Sequence, residues 1–551
     1  MTASTWSPPP AARTGPGRCA TRWPPARARS SRSRPRSSGQ AAMSSNGICA
    51  STRRRPAAMP ACSPRPNNHR RNRHGGTPSP AALSAGTPRA PVGDRQSPVP
   101  WNGHWPSDEE MPVNQFSPLR RASGRLTFRA ADHASQAIGR VLDLDEDVAG
   151  RIFTRFDAGR IVAEAEALDR DPARLAGPLA GLLAAIKDLF DEEGEVTTSG
   201  SVHFAGNAPA TRDAVAVERL RAAGAIGCGR TNMSEFAYSG VGLNPHYGTP
   251  PNSHDPERIP GGSTSGGAIA VAFGIADFAL GSDTGGSVRI PAAFNALAGF
   301  KPTQAAVPLD GASPLSGTYD SVGPLALDIA TCAAVHAVLS GEDRPAPTTG
   351  DKPLRLGVMR TLLTDDMDKQ VKADFEAALK ALRDEGIELV DVELAEIAQA
   401  GAVNRILVAS DAHAIHRGYL DALETAGDPR VLKRIRAAES FGPGEAAAAR
   451  QTRAEAIVAF ADLADGFDAI IAPTVPIVPP LLEEVEDDFD RLNALVLRNP
   501  STINFLDGCA ATVPMHRSGE LPTGLTIFGP GGRDWHVLDV AEEVEAIVGD
   551  R

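Results

Sequence analysis

Residues 259–289 read IPGGSTSGGAIAVAFGIADFALGSDTGGSVR. Two glycine–serine clusters, 261–267 and 285–287, flank a run of small apolar residues. Glycine lets a backbone approach a ligand closely and exposes consecutive N–H groups. In DTGGS the N–H groups of Thr284, Gly285 and Gly286 can converge beside the hydroxyl of Ser287. A hydroxyl nucleophile beside backbone donors is the arrangement that acyl transfer requires. Nucleotide-binding readings fit poorly. Gly262 and Gly267 have P-loop spacing, but Ala268 stands in the lysine position. GSDTGGS does not supply G-x-G-x-x-G, and GGSVR lacks the glycine that a G-x-S-x-G elbow needs after its serine. The intervening stretch 268–280, interrupted only by Asp277, is expected to form a buried helix of small residues.

A serine hydroxyl is a weak nucleophile at neutral pH and needs a base. His203, His246 and His254 have no orienting carboxylate nearby in sequence and read as loop or surface histidines. Lysine can serve when burial keeps it neutral. Lys187 lies in the apolar run PLAGLLAAIKDLFDEEG (178–194), an unusual setting for lysine. Two readings compete: a functional buried amine, or an ion pair with Asp188 or Glu192 at the end of a strand.

Outward from these segments the chain alternates helical and strand patterns. DAVAVERLRAAGA (213–225) reads as a helix and IGCGRTN as a strand and turn. In VKADFEAALKALRDEG, Val371, Phe375, Ala378, Leu379 and Leu382 share one helical face, and Gly386 suits its C-terminal cap. LRLGVM (354–359), IELVDVEL and FDAIIAPTVP (467–476) read as strands. Such alternation predicts an α/β layered fold around a buried sheet, as one body of about 440 residues.

The 551-residue chain is 42% hydrophobic and carries a net charge of −11. That average hides a break. Residues 1–110 hold 17 Arg, no Lys and 4 acidic residues, a charge of +13, whereas the remainder carries −24. The first segment also holds 18 of the 46 Pro and lacks apolar periodicity, so it cannot offset its ordering entropy by burial. A nucleic-acid-binding arm, a transit peptide and translated upstream sequence compete for this tail. The absence of lysine beside so many arginines favours the last, with the natural start near Met111 and the folded domain over 111–551. No apolar run reaches membrane-spanning length, and the six scattered Cys show no CxxC or metal-type spacing. A cytoplasmic protein without structural zinc is the expectation.

The segment GGSTSGGAIAVAFGIADFALGSDTGGSVRIPAA resembles the signature of the amidase-signature hydrolases. GPLAGLLAAIKDLFD resembles the family's lysine segment, and GAIGCGRTNMSEFA and NPHYGTPPNSHDPERIPGGS resemble the stretch leading into the signature. AGFKPT (298–303), SVGPLA (321–326), IIAPTVP (470–476) and LPTGLTIFGP (521–530) follow in family order, so the resemblance spans about 119–550. It implies an α/β/α sandwich with a large mixed sheet and a Ser–cis-Ser–Lys triad. Ser287 would be the acylated nucleophile, Ser263 the bridging serine on a cis peptide bond, and Lys187 the base. The N–H groups of Thr284, Gly285 and Gly286 would form the oxyanion hole. Ser265 is a weaker rival to Ser263, and Thr264 and Ile269 depart from the commonest family pattern without touching the triad. Asp283 and Arg289 are expected to form a supporting ion pair, Lys301 a structural contact, and Asn232 and Glu235 hydrogen bonds to nearby backbone. Pro291 and Pro302 are expected to fix loops. The implied activity is hydrolysis of a small-molecule carboxamide without metal or cofactor. Two alternatives stand beside it: an amidotransferase A-type subunit that releases ammonia from glutamine for a partner, and an inactive scaffold on the same fold. The acidic body argues against direct nucleic-acid binding. A homo-oligomer is left open. Specificity is expected from loops between about 305 and 520. The segment 410–423 reads equally as a pocket-lining, core or surface helix.

Overall fold

The computed structural model describes residues 129–347 and 352–549. The Arg-rich segment 1–110 and the expected start at Met111 lie outside these described residues.

Among them, eleven strands form one sheet. In chain order these are β1 (Phe153–Arg155), β2 (Leu183–Lys187), β3 (Ile226–Thr231), β4 (Phe278–Asp283), β5 (Ala298–Lys301), β6 (Ser321–Ala326), β7 (Arg355–Met359), β8 (Glu388–Val392), β9 (Ala469–Pro473), β10 (Cys509–Pro514) and β11 (Gly524–Gly529). Their spatial order is β1-β3-β2-β4-β6-β5-β10-β11-β9-β7-β8. Strands β3, β2 and β4 run parallel, as do β9, β7 and β8, while β4–β6, β6–β5, β5–β10, β10–β11 and β11–β9 are antiparallel. The sheet is therefore mixed.

Side chains alternate across a strand, so strands such as β2, β4, β9 and β10 each contribute to two different cores. On β2, Ala184 and Ile186 join the largest cluster, with Phe278 and Leu280 of β4 and Ile527 of β11. Leu183 and Ala185 face the opposite side, with Ala279 and the helix Ser265–Ala272. At the far end of the sheet, Ile470, Ala472, Ala510 and Phe528 pack under further helices. Both faces are covered, which is why the strands read as continuous apolar runs rather than half-polar ones. This is the expected α/β/α sandwich.

The helix expected over 268–280 is not observed. The helix ends at Ala272, Gly274 turns the chain with φ of +63°, and β4 begins at Phe278. An unbroken small apolar run satisfies a buried helix and a buried strand equally, and Asp277 marks their junction: its carboxylate accepts from Leu183 N–H at 2.7 Å at the start of β2. The helix Lys369–Asp384 does bury Val371, Phe375, Ala378, Leu379 and Leu382, and Gly386 follows with φ of +85°.

Candidate active site

The parallel strands β3, β2 and β4 deliver their C-terminal ends side by side. Lys187 is the last residue of β2, Thr231 the last of β3 and Asp283 the last of β4. Loops leaving such ends are where an open α/β sheet places ligands. The two glycine–serine clusters sit there, brought together because the chain passes out through the helix 265–272 and returns through β4.

Lys187 is fully buried. Its Nζ donates to Ser263 Oγ at 2.8 Å and to Ser282 Oγ at 3.0 Å. Burial pulls its pKa down to about 7, although the carboxylates of Asp283 and Asp320 act in the opposite sense. The alternative of an ion pair with Asp188 or Glu192 is overturned. Arg230 takes both carboxylates, donating to Asp188 Oδ1 at 2.6 Å and to Glu192 Oε2 at 2.9 Å. In β2, Lys187 is the next residue on the face of Leu183 and Ala185, so Asp188, one position on, is directed elsewhere.

The Gly262–Ser263 peptide bond is cis. Gly262 is required sterically, since a Cβ there would meet the Gly242 nitrogen at 2.6 Å. Ser263 carries the contact with Lys187. Ser265 does not: it opens the helix, and its Oγ lies 3.5 Å from the Asn232 carbonyl. The N–H of Thr264 donates to the Ser287 carbonyl at 3.2 Å, tying the two clusters together through backbone. Among the side-chain hydrogen bonds of the described residues, none joins Ser263 Oγ to Ser287 Oγ.

Ser287 borders a cavity of about 570 Å³ together with Thr284 and Gly285. Gly286 adopts φ of +124°, and a Cβ there would strike Pro500 at 2.5 Å. Its N–H is already donated to Asp283 Oδ1 at 2.8 Å. The amides of Gly285 and Ser287 itself are not engaged among the hydrogen bonds of the described residues. Thr284 Oγ1 donates to Asp320 Oδ1 at 2.5 Å. The Ser287 N–H is a donor that the sequence pattern does not single out, because the glycine cluster draws attention only to amides preceding the nucleophile.

Asp283 and Arg289 pair as expected, with Nε at 3.0 Å and Nη2 at 2.9 Å from the carboxylate, both residues fully buried. Burial pushes the Asp283 carboxyl up, but the Arg289 guanidinium, Lys301 and Asn504 outweigh it and hold it well below the usual carboxylate range. Asp283 also accepts from the N–H groups of Gly286 and Val288, so it fixes the loop on both sides of Ser287. Removing one partner from such a pair leaves an uncompensated buried charge. Arg289→Ala is expected to lower unfolding free energy by about 3–5 kcal/mol, read from the urea midpoint.

Other expected residues find their places. Lys301 Nζ donates to the carbonyls of Pro302 and Gly508, and Asn232 Nδ2 to those of Arg151 and Gly248. Pro291 lies in the first turn of the helix Arg289–Phe294 rather than in a loop. His246 is not a lone loop histidine, because Glu235 faces its Nε2 at 3.0 Å and also accepts from Asp428 N–H. The pocket-lining part of the helix Ala400–His416 is Gly401–Val408, N-terminal to the stretch 410–423. Asp411 instead holds Ser316 Oγ at 2.6 Å. Among the described residues no cluster of His, Cys, Asp or Glu is placed to hold a metal ion, and no helix is long and apolar enough to cross a membrane.

A two-face-covered mixed sheet carrying a buried lysine–serine pair beside a second serine at a cavity defines an amidase, an enzyme acting on carboxamide C–N bonds. The chain belongs to the amidase family: the model described as Amidase matches residues 140–538. It is 31% identical over 409 residues to the 2-amino-5-chloromuconic acid deaminase of Comamonas testosteroni, covering 72% of this chain and 88% of that one. To the A-type subunit of the glutamyl-tRNA(Gln) amidotransferase of Acidothermus cellulolyticus it is 34% identical over 454 residues, 74% of this chain and 89% of that one. A solved amidase crystal structure superposes with a TM-score of 0.70 at 30% identity, over 77% of this chain and 97% of that one.

Proposed function

We propose that this protein hydrolyses a small-molecule carboxamide through an acyl-enzyme on Ser287, with Lys187 and Ser263 as the proton relay. The observation that carries this reading is a fully buried lysine 2.8 Å from Ser263 Oγ whose pKa is drawn down to about 7. At neutral pH a large fraction of that amine is uncharged and can accept a proton.

Neutral Lys187 takes the proton of Ser263 Oγ as Ser263 takes that of Ser287. Ser287 Oγ attacks the carbonyl carbon, forming the C–O bond of a tetrahedral intermediate. The oxyanion is held by the N–H groups of Gly285 and Ser287, with Thr284 on the same loop, while the amide of Gly286 stays with Asp283. Ser263 then protonates the leaving nitrogen, the C–N bond breaks, and ammonia or an amine departs. Water enters, gives its proton to the same relay, and releases the carboxylic acid and Ser287. Asp283 and Arg289 are positioning residues that touch no reacting atom. Buried thiols at Cys228, Cys332 and Cys509 suit a reducing, cytoplasmic setting.

A fluorophosphonate probe is expected to form an adduct at Ser287 in the folded protein, mapped by peptide mass spectrometry. An absent adduct would favour the inactive scaffold. Similarity to the amidotransferase protein supports a second reading, glutamine hydrolysis for a partner. Glutaminase activity that appears only in a co-purified complex would select it.

A further inference from the structure

The wall of the cavity facing Ser287 is unusually basic for a body that carries −24 overall. The helices Ala400–His416, Pro429–Arg436 and Phe489–Phe505 bring Arg405, Lys433, Arg434 and Arg498 to it, against one acid, Asp490. Two of these cations are engaged. Lys433 Nζ donates to Asp490 at 2.5 Å, and Arg498 Nη2 donates to the Asp365 carbonyl at 2.5 Å. Arg405 and Arg434 form no ion pair among the described residues. Arg434 lies over the Tyr238 ring, its guanidinium carbon 4.3 Å from the ring centre, and its Nη1 is buried with no hydrogen-bond partner. Burial raises the Tyr238 phenol, while Arg434, through its charge and a side-chain hydrogen bond to the hydroxyl, and Arg405, through its charge, oppose the rise. The two guanidiniums therefore act on the same side chain, and only Nη1 of Arg434 is left without a partner. A buried guanidinium N–H without an acceptor is costly unless a ligand supplies one, and the planar fork of arginine matches a carboxylate.

We infer that the substrate is an anionic amide, a carboxamide with a second, ionised acidic group of the carboxylate class bound by Arg434 with Arg405. This rests on the amidase reading and names the substrate class of the same cavity. The stacked Tyr238 fixes the guanidinium plane, and the net positive wall reverses the repulsion that an acidic protein exerts on an anion.

The test uses matched pairs: succinamate, glutaramate and adipamate against butanamide, pentanamide and hexanamide. With Ser287→Ala protein in a calorimeter, the best anionic amide is expected to bind about 10- to 100-fold tighter than its neutral partner. Adding Arg434→Gln should remove that preference, with unfolding midpoints confirming that the variants fold. With otherwise native protein, kcat/KM should show the same preference, lost in Arg434→Gln mainly through KM. Equal binding of every pair, or an Arg434→Gln effect of equal size on both members, overturns the inference. Absent turnover and absent fluorophosphonate labelling, with the binding preference intact, would overturn the amidase reading and leave the anion site standing.

Discussion

Ser287→Ala is expected to lower kcat by on the order of 10⁵- to 10⁶-fold, because without the hydroxyl no acyl-enzyme forms and the lysine has nothing to activate. The folded state should be nearly unaffected. Ser287 is held through its backbone, by the bond from Thr264 N–H to its carbonyl, which alanine retains. Its side chain faces the cavity rather than a packed interior, so deleting one oxygen creates no new void in a core. Activity assays beside urea melts separate the two effects. An alanine variant with a tenth of native turnover would remove Ser287 from the chemistry.

Lys187→Ala is expected to lower kcat/KM at pH 7 by about 10²- to 10⁴-fold, the range of a general base. The pH profile carries more information than the size of the loss. In the proposed relay the reactive form is the neutral amine, so kcat/KM should rise about tenfold per pH unit below the lysine pKa and level off above about 7. In Lys187→Ala that limb should vanish, with partial recovery at high pH as hydroxide replaces the base. Stability follows the same ionisation. The folded pKa lies near 7 and the unfolded one near the reference value of about 10.4. Between them the unfolded chain binds more protons, so native stability should climb with pH across that window, the penalty being fully present below about 7. The alanine variant should show a flatter dependence there. A fully active Lys187→Ala enzyme, or a native profile without a limb near pH 7, would dismiss the amine as base.

Both predictions depend on residues that are visible in one dimension. A lysine inside PLAGLLAAIKDLF violates the usual exclusion of charge from apolar runs, and two Gly-Gly-Ser frames 24 residues apart expose backbone beside hydroxyls. Such features are local contradictions of composition, and they persist whatever the fold. The amphipathic helix 369–384 and the β–α alternation were legible for a similar reason: periods of 3.6 and 2 are written into successive residues.

Tertiary structure decided what adjacency in sequence does not encode. Whether 268–280 was one helix or a helix and a strand turned on which neighbours covered it. Whether Asp188 paired with Lys187 or with Arg230 turned on the face of the sheet each side chain occupies and on β3 lying beside β2. Glu235 met His246, and Arg405, Arg434 and Arg498 met at one cavity, because separate helices converge there. Sequence alone therefore determined the layered α/β class and marked Lys187 and the two Gly-Gly-Ser frames as out of keeping with their surroundings, since periodicity and composition are properties of short stretches. Which groups touch, which amides remain open and which charges line the cavity were decided by packing between distant segments, where the energy belongs to pairs of elements and to neither of them singly.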